Sequence, residues 1–233
     1  MANRAMDVAP QGQNGGDSSH PDIPVWPLSL PARLARAVIQ AGMLGVLPLW
    51  APTRIEGRDA LDGVEGPVLF AVNHVSHLDT SLVLRSLPWR WRRRTAVAAA
   101  RDFFFKSRRQ GFVAGLAFNA FPVSRNANLW PPLDQFRFLT GRGWSVVVYP
   151  EGTRSITGEI LPFKAGIGLL AVQLGLPVVP VRIHGLASVL PKGRSWPPRR
   201  GHCTVHFGPP LRFGPGTSFA EATSAIEAAV RTL

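Results

Sequence analysis

The sequence predicts an α/β fold: a single domain with a largely parallel central sheet flanked by helices, preceded by an N-terminal amphipathic or membrane-associated helix. Three observations carry this. Beyond Arg54, short apolar runs alternate with segments patterned as helices. Polar, reactive residues cluster directly after three of those runs, where open α/β sheets gather their chemistry. A hydrophobic content of 45% over 233 residues supports a substantial core.

Met1–Pro24 is rich in Gly, Pro, Asn, Asp and Ser and lacks the basic-then-apolar order of a secretory signal, which predicts a disordered tail over residues 1–24. Residues 25–53 read as a membrane-associating helical segment. Within it Leu30, Leu34, Ala37 and Val38 fall at helical spacing beside Arg33 and Arg36, which suits a helix lying on lipid or one packed on the domain. The uncharged stretch Ala37–Thr53 carries Gln40 and Pro48 and is shorter than the roughly 20 residues a bilayer span needs, the range of an interfacial or re-entrant segment. Residues 54–233 form the body, without an internal repeat. In order it shows an apolar run at 67–72, a helical segment at 78–87, runs at 95–100 and 120–123 separated by a helical or membrane-touching 103–118, and a helix at 131–140. A buried strand at 144–150, a helix at 166–174, strands at 177–185 and 202–208 around a Pro/Arg-rich loop, and a last helix at 218–232 follow.

The 26 Lys and Arg against 14 Asp and Glu give +12, an argument for anionic partners such as phosphates, nucleic acid or membrane surface. The run "PWRWRRR" (88–94) fits either nucleic acid or a membrane interface, and the apolar patches "FFF" (103–105) and Ala37–Thr53 favour lipid. The single cysteine, Cys203, excludes an internal disulfide and suggests a reducing compartment. His202 and His206 have no third candidate ligand near in sequence, so no metal site is expected.

The stretch "NHVSHLD" places His74 and Asp79 five positions apart. On one straight helix that spacing turns the side chains away from each other by about 140°, so they meet only if His74 sits in a loop and Asp79 in the first helical turn. Ser76 and Asp79 have the spacing of a helix-start signal, which fits that arrangement. A carboxylate on one ring nitrogen fixes the tautomer and leaves the other nitrogen to take a hydroxyl proton. In isolation the pair also reads as capping, and His77 competes as Asp79's partner. "PEGTRS" follows the buried strand with Glu151, Gly152, Thr153 and Arg154: a carboxylate for a polyol, a flexible backbone, and a forked cation for phosphate. An ordinary turn with a surface ion pair would look the same. Arg125 in "FPVSRN" and Lys164 at a helix start are further candidate anion ligands.

In this order, "NHVSHLD", "FPVSR", "YPEGTRS" and "LPVVPV" resemble the four blocks of the glycerolipid acyltransferase family that includes bacterial 1-acylglycerol-3-phosphate acyltransferases, over roughly Gly66 to Gly185. The resemblance implies an acyltransferase domain at 54–233 that moves an acyl group from acyl-CoA or acyl carrier protein to the free hydroxyl of a lysophospholipid, giving phosphatidic acid when the acceptor is lysophosphatidic acid. It implies His74 as general base, Asp79 as its orienting carboxylate, and Arg125, Glu151 and Arg154, with Gly152 and Thr153, as the glycerol phosphate site. It also implies an apolar fourth block, Leu176–Val181, shaping the acyl pocket. Implied too are a thioester co-substrate with no metal or other cofactor, an anionic membrane surface as partner, no nucleic acid, and a peripheral or shallowly embedded place on the cytoplasmic face of the cell membrane. Two departures from the family pattern are Tyr149 where phenylalanine is more usual and a looser second block around Arg125. The other readings are a different lysolipid or an aminoacyl lipid as acceptor, or a non-catalytic basic protein binding lipid or nucleic acid.

Overall fold

A computed structural model describes residues 29–123, 133–194, 196–197 and 199–233; the tail predicted over 1–24 and the candidate ligand Arg125 lie outside them. The described residues build one seven-stranded sheet from β1 (Thr53–Glu56), β2 (Leu69–Val72), β3 (Thr95–Ala100), β4 (Ala120–Val123), β5 (Ser145–Val148), β6 (Val178–His184) and β7 (Cys203–Phe207). Its order is β1-β7-β6-β2-β5-β3-β4, parallel throughout except between β6 and β7. This is the mixed α/β sheet that the alternating pattern predicts. The edge strand β1 is an addition: "TRIE" alternates too little and buries too little to announce itself, and it forms by pairing with β7.

Strand β2 is central and wholly buried. Its alternate side chains feed opposite faces of the sheet. Phe70 and Val72 join one core cluster with Leu82, Trp91 and Phe207, while Leu69 and Ala71 join another with Phe121, Phe136 and Ile226. On the second face α6 (Leu133–Thr140) buries Phe136 and Leu139, and α7 (Gly166–Leu174) crosses α9 (Phe219–Thr232) at Gly168, where a Cβ would meet the Phe219 carbonyl oxygen at 2.0 Å. Only glycine permits that approach. Helix α9 starts on Ser218, whose hydroxyl accepts from the Glu221 N–H at 3.1 Å, and buries Ala222, Ile226 and Val230.

The first face is covered by α2 (Asp79–Ser86) and by α1 (Leu30–Val46), which continues as one 3-10 turn, Leu47–Leu49. The uncharged stretch Ala37–Thr53 is therefore not one segment: it comprises the end of a helix, a turn and the first residue of β1. Taken from Leu30 to Leu49, the helix is 20 residues with mean hydropathy 1.2, long and apolar enough to cross a membrane by length and composition. Its buried stripe is the unexpected part. Arg36 and Gln40 face inward, and Arg36 donates to the Leu116 and Gly115 carbonyls and Gln40 to that of Ala117. Those carbonyls belong to the last turn of α5 (Arg108–Phe118), where a helix runs out of N–H donors of its own for its acceptors. Leu30, Leu34, Val38, Val46 and Leu49 point outward.

The predicted helix at 103–118 is broken into α4 (Arg101–Phe104) and α5, restarted by the Ser107 hydroxyl accepting from the Gln110 N–H. The Trp/Arg run forms a single turn, α3 (Trp89–Arg92), leading into the N-terminal end of β3. There Trp91 is buried edge-on against Phe70, Arg90 pairs with Asp62 and Arg92 lies over Trp89. The run therefore lies at the end of the sheet away from the loops that follow β2 and β5, with Trp89 exposed.

Candidate active site

Strands β2 and β5 are parallel neighbours, with Ala71 opposite Val148. The chain leaves both at the same end of the sheet, about 4.8 Å apart. This adjacency brings "NHVSHLD" against "PEGTRS".

The first loop is held at nearly every residue. The Asn73 amide exchanges two hydrogen bonds with the Ile183 backbone, at 3.1 and 2.7 Å, continuing the β2–β6 pairing through a side chain. The His74 N–H donates to Glu151 Oε1 at 2.6 Å, and the His74 carbonyl accepts from the Ser155 N–H at 2.8 Å. The Val75 and Ser76 N–H groups donate to Asp79 Oδ2 at 2.7 and 2.9 Å, and the Ser76 hydroxyl donates to the Leu190 carbonyl. Asp79 is the first residue of α2 and fully buried. Its Oδ2 also stands 2.7 Å from His74 Nδ1, so that nitrogen carries the proton and Nε2 keeps its lone pair. The loop-then-helix arrangement required by the spacing is the one observed. His77 does not reach Asp79; its ring stacks on Phe103 at 5.4 Å, and partial desolvation with the nearby Arg154 guanidinium lowers its pKa.

Under His74 lies Tyr149, the rings stacked at 4.3 Å, with the Tyr149 hydroxyl hydrogen bonded to Thr80 Oγ1 at 2.9 Å. Desolvation raises the Tyr149 pKa, so this hydroxyl stays neutral.

The residues of the second loop part company. Glu151 is 3% exposed, with Oε1 on the His74 N–H and Oε2 accepting from the Leu161 N–H at 2.8 Å. Burial pushes its carboxyl up to about 7, against the pull of those two donors. Gly152 has φ +70° and lies so close to Lys164 that a Cβ would meet Lys164 Cε at 2.7 Å. Thr153 and Arg154 face a cavity of about 650 Å³ that His74 also lines.

That cavity is amphipathic. Its depth is lined by Val97–Ala100 of β3, Ala114 and Phe118 of α5, and Ile167 and Leu170 of α7. Its rim carries His74, Thr153, Arg154, Lys164 and Lys192. Phe103 forms part of the wall, with the Arg154 guanidinium 5.8 Å over its ring. Lys192 was not legible as a site residue: it follows α8 (Leu186–Val189), the short helix after β6, and donates to the Arg154 carbonyl at 2.8 Å and to Thr153 Oγ1 at 3.4 Å. The fourth block contributes none of the lining; Val178, Val179 and Val181 are core residues on β6, beyond β2 from the cavity. Chemically the arrangement offers an oriented base, a cationic rim suited to an anion, and an apolar depth suited to a hydrocarbon chain.

The chain is 32% identical over 160 residues to a 1-acyl-sn-glycerol-3-phosphate acyltransferase of Chlamydomonas reinhardtii, covering 65% of this chain and 44% of that protein. It is 30% identical over 149 residues to the chloroplastic 1-acyl-sn-glycerol-3-phosphate acyltransferase BAT2 of Brassica napus, covering 60% and 40%. The chain thus spans less than half the length of these two relatives. Its fold is similar to the crystal structure of the 1-acyl-sn-glycerophosphate acyltransferase PlsC from Thermotoga maritima, with a TM-score of 0.65 and 24% identity, covering 86% of this chain and 77% of that one. The family model described as Acyltransferase matches residues 52–184, which hold both facing loops and the strands that carry them, and the chain belongs to that family.

Proposed function

We propose that this protein transfers a fatty acyl group from acyl-CoA or acyl carrier protein to the free hydroxyl of 1-acylglycerol-3-phosphate, giving phosphatidic acid. The observation that carries the reading is the His74–Asp79 pair, 2.7 Å apart, at the mouth of an apolar cavity rimmed by Arg154, Lys164 and Lys192. The activity named for both relatives supports the same acceptor.

His74 Nε2 takes the proton of the acceptor hydroxyl as its oxygen attacks the thioester carbonyl. Asp79 stabilises the imidazolium that forms. The tetrahedral adduct collapses, the C–S bond breaks, and the imidazolium returns its proton to the departing thiolate, so thiol and ester are the products. Arg154 and the rim lysines hold the acceptor phosphate, and the apolar depth takes an acyl chain. Arg125 is retained as a phosphate ligand on the family resemblance alone.

The outward face of α1, with the exposed Phe112 and Val113 of α5, is the proposed contact with an anionic membrane on its cytoplasmic side. Arg36 and Gln40 tie α1 to α5, which favours a helix lying in the interface over one crossing the bilayer.

The test is thiol release from oleoyl-CoA by the purified protein, with and without lysophosphatidic acid. Release that requires both the lysolipid and His74 is expected; release indifferent to the lysolipid, or undiminished in a folded His74→Ala protein, overturns the reading.

A further inference from the structure

We infer that Glu151 is a positioning residue for His74 and does not bind the acceptor, so that the turn after β5 divides into a half that holds the base and a half that holds the substrate. The inference rests on the proposed acyl transfer and departs from the glycerol-binding role that the family resemblance gives this carboxylate.

Three observations carry it. Glu151 is absent from the cavity lining although Pro150, Gly152, Thr153 and Arg154 on either side of it are present. Its two oxygens are already engaged, Oε1 by the His74 N–H at 2.6 Å and Oε2 by the Leu161 N–H at 2.8 Å. Each oxygen keeps a second lone pair, but Glu151 is 3% exposed and off the cavity wall, so a glycerol hydroxyl could reach it only by opening the turn and disturbing these two bonds. Finally, four residues on, the Ser155 N–H donates to the His74 carbonyl at 2.8 Å, so one short turn grips both backbone groups of the same histidine.

The consequence is geometric. The base on the β2 loop and the Thr153–Arg154 rim on the β5 loop belong to different strands, and nothing in chain order fixes their separation. The Glu151–His74–Ser155 clamp makes them one scaffold, so Nε2 is held in place relative to wherever the phosphate is held. A shift of about 1 Å in such an arrangement costs on the order of 10²-fold in rate.

Glu151→Gln tests this, because the amide keeps the size and one acceptor but turns an N–H donor toward a backbone N–H. With saturating oleoyl-CoA and varied lysophosphatidic acid, kcat is expected to fall about 10- to 100-fold with KM within about twofold of wild type. In a His74→Ala background, adding Glu151→Gln is expected to leave equilibrium binding of lysophosphatidic acid within about twofold, which separates mispositioning from lost binding sites. In protein labelled with ¹⁵N-histidine, the His74 amide proton, assigned by its absence in His74→Ala, should lie far downfield and move upfield in Glu151→Gln. A rise in KM of about tenfold or more with kcat intact, an equal loss of binding, or an unmoved His74 amide overturns the inference. If Glu151→Gln does not fold, Glu151→Asp, which keeps the charge but falls short by one methylene, is read by the same three measurements. A wild-type protein without lysolipid-dependent thiol release defeats the functional reading, while the amide resonance still decides the clamp.

Discussion

The loop at 73–79 and helix α1 solve opposite problems with the same interaction. In the loop, buried carboxylates of Asp79 and Glu151 accept from backbone N–H groups. In α1, the buried side chains Arg36 and Gln40 donate to backbone carbonyls that end α5. Both spend buried side-chain hydrogen bonds on backbone groups that lie where regular secondary structure stops. The loop turns its remaining functional atom, His74 Nε2, toward a cavity; α1 turns Leu30, Leu34 and Val38 toward the outside. Inward polarity with an outward apolar face reverses α9, which buries Ile226 and Val230 and exposes Glu221 and Arg231. What separates the regions is therefore what each leaves unengaged: a lone pair in one, hydrocarbon in the other.

The sharpest way to break the first half of the comparison is His74→Ala. Loss of a general base should lower turnover by about 10²- to 10⁴-fold. Since the His74 backbone bonds survive the substitution, thermal unfolding should stay close to wild type. A large drop in unfolding temperature would mean that the ring itself is a structural element of the loop.

The second half is broken by Leu34→Glu with Val38→Glu on the outward face of α1. Each apolar side chain removed from lipid contact forfeits about 1.5–3 kcal/mol, so partitioning onto anionic vesicles in a sedimentation assay should fall by well over tenfold. Ser224→Glu with Ala228→Glu, on the exposed side of α9, adds the same two charges and should leave partitioning unchanged. Equal loss from both variants would show that added negative charge, and not lost apolar contact, governs binding.

How much of this could be read from residues alone differs between the two regions. The requirement that His74 sit in a loop and Asp79 in a first turn followed from helical rotation, and both lie there. The apolar runs located β2 to β7 because a doubly covered sheet demands them. Chain order, however, carries no trace of β5 inserting between β2 and β3, which is what brings Glu151 to His74. For the same reason Lys192 and Asn73 were invisible as partners of distant backbone groups. Arg33 and Arg36 looked equivalent beside an apolar stripe, yet Arg36 is buried, because the carbonyls that receive it belong to α5. The Trp/Arg run shows what composition leaves out: Trp91 packs on Phe70, Arg90 pairs with Asp62 and Arg92 lies over Trp89, while Trp89 itself stays exposed.

The clamp also makes a prediction about pH. The Glu151 carboxyl, pushed up to about 7 by burial, holds its proton in the folded protein over a range in which the unfolded chain, near 4.5, has already released it. The folded state then binds more protons than the unfolded one, so stability is full below about pH 4.5 and falls as pH rises toward about 7. Unfolding temperatures measured across this window should decline in wild type and flatten in Glu151→Gln. The ionised form that completes both backbone bonds is thus the one that costs stability, a cost accepted for geometry at the base. A wild-type profile that rises through the window would place the carboxyl on the ordinary side of its range.

The smallest effect is expected at Tyr149, where the family pattern more usually has phenylalanine. Stacking at 4.3 Å on His74 belongs to the ring and survives Tyr149→Phe; only the hydroxyl bond to Thr80 is lost. That bond ties the floor of the site to the second residue of α2, beside Asp79. Its removal leaves the Thr80 hydroxyl seeking another partner and should cost about 0.5–1.5 kcal/mol in chemical denaturation, with turnover changed by less than about threefold. If turnover instead fell as far as in Glu151→Gln, His74 would depend on its floor as much as on its clamp, and the rigidity of the loop would have to be assigned to packing beneath the ring as well as to the backbone bonds around it.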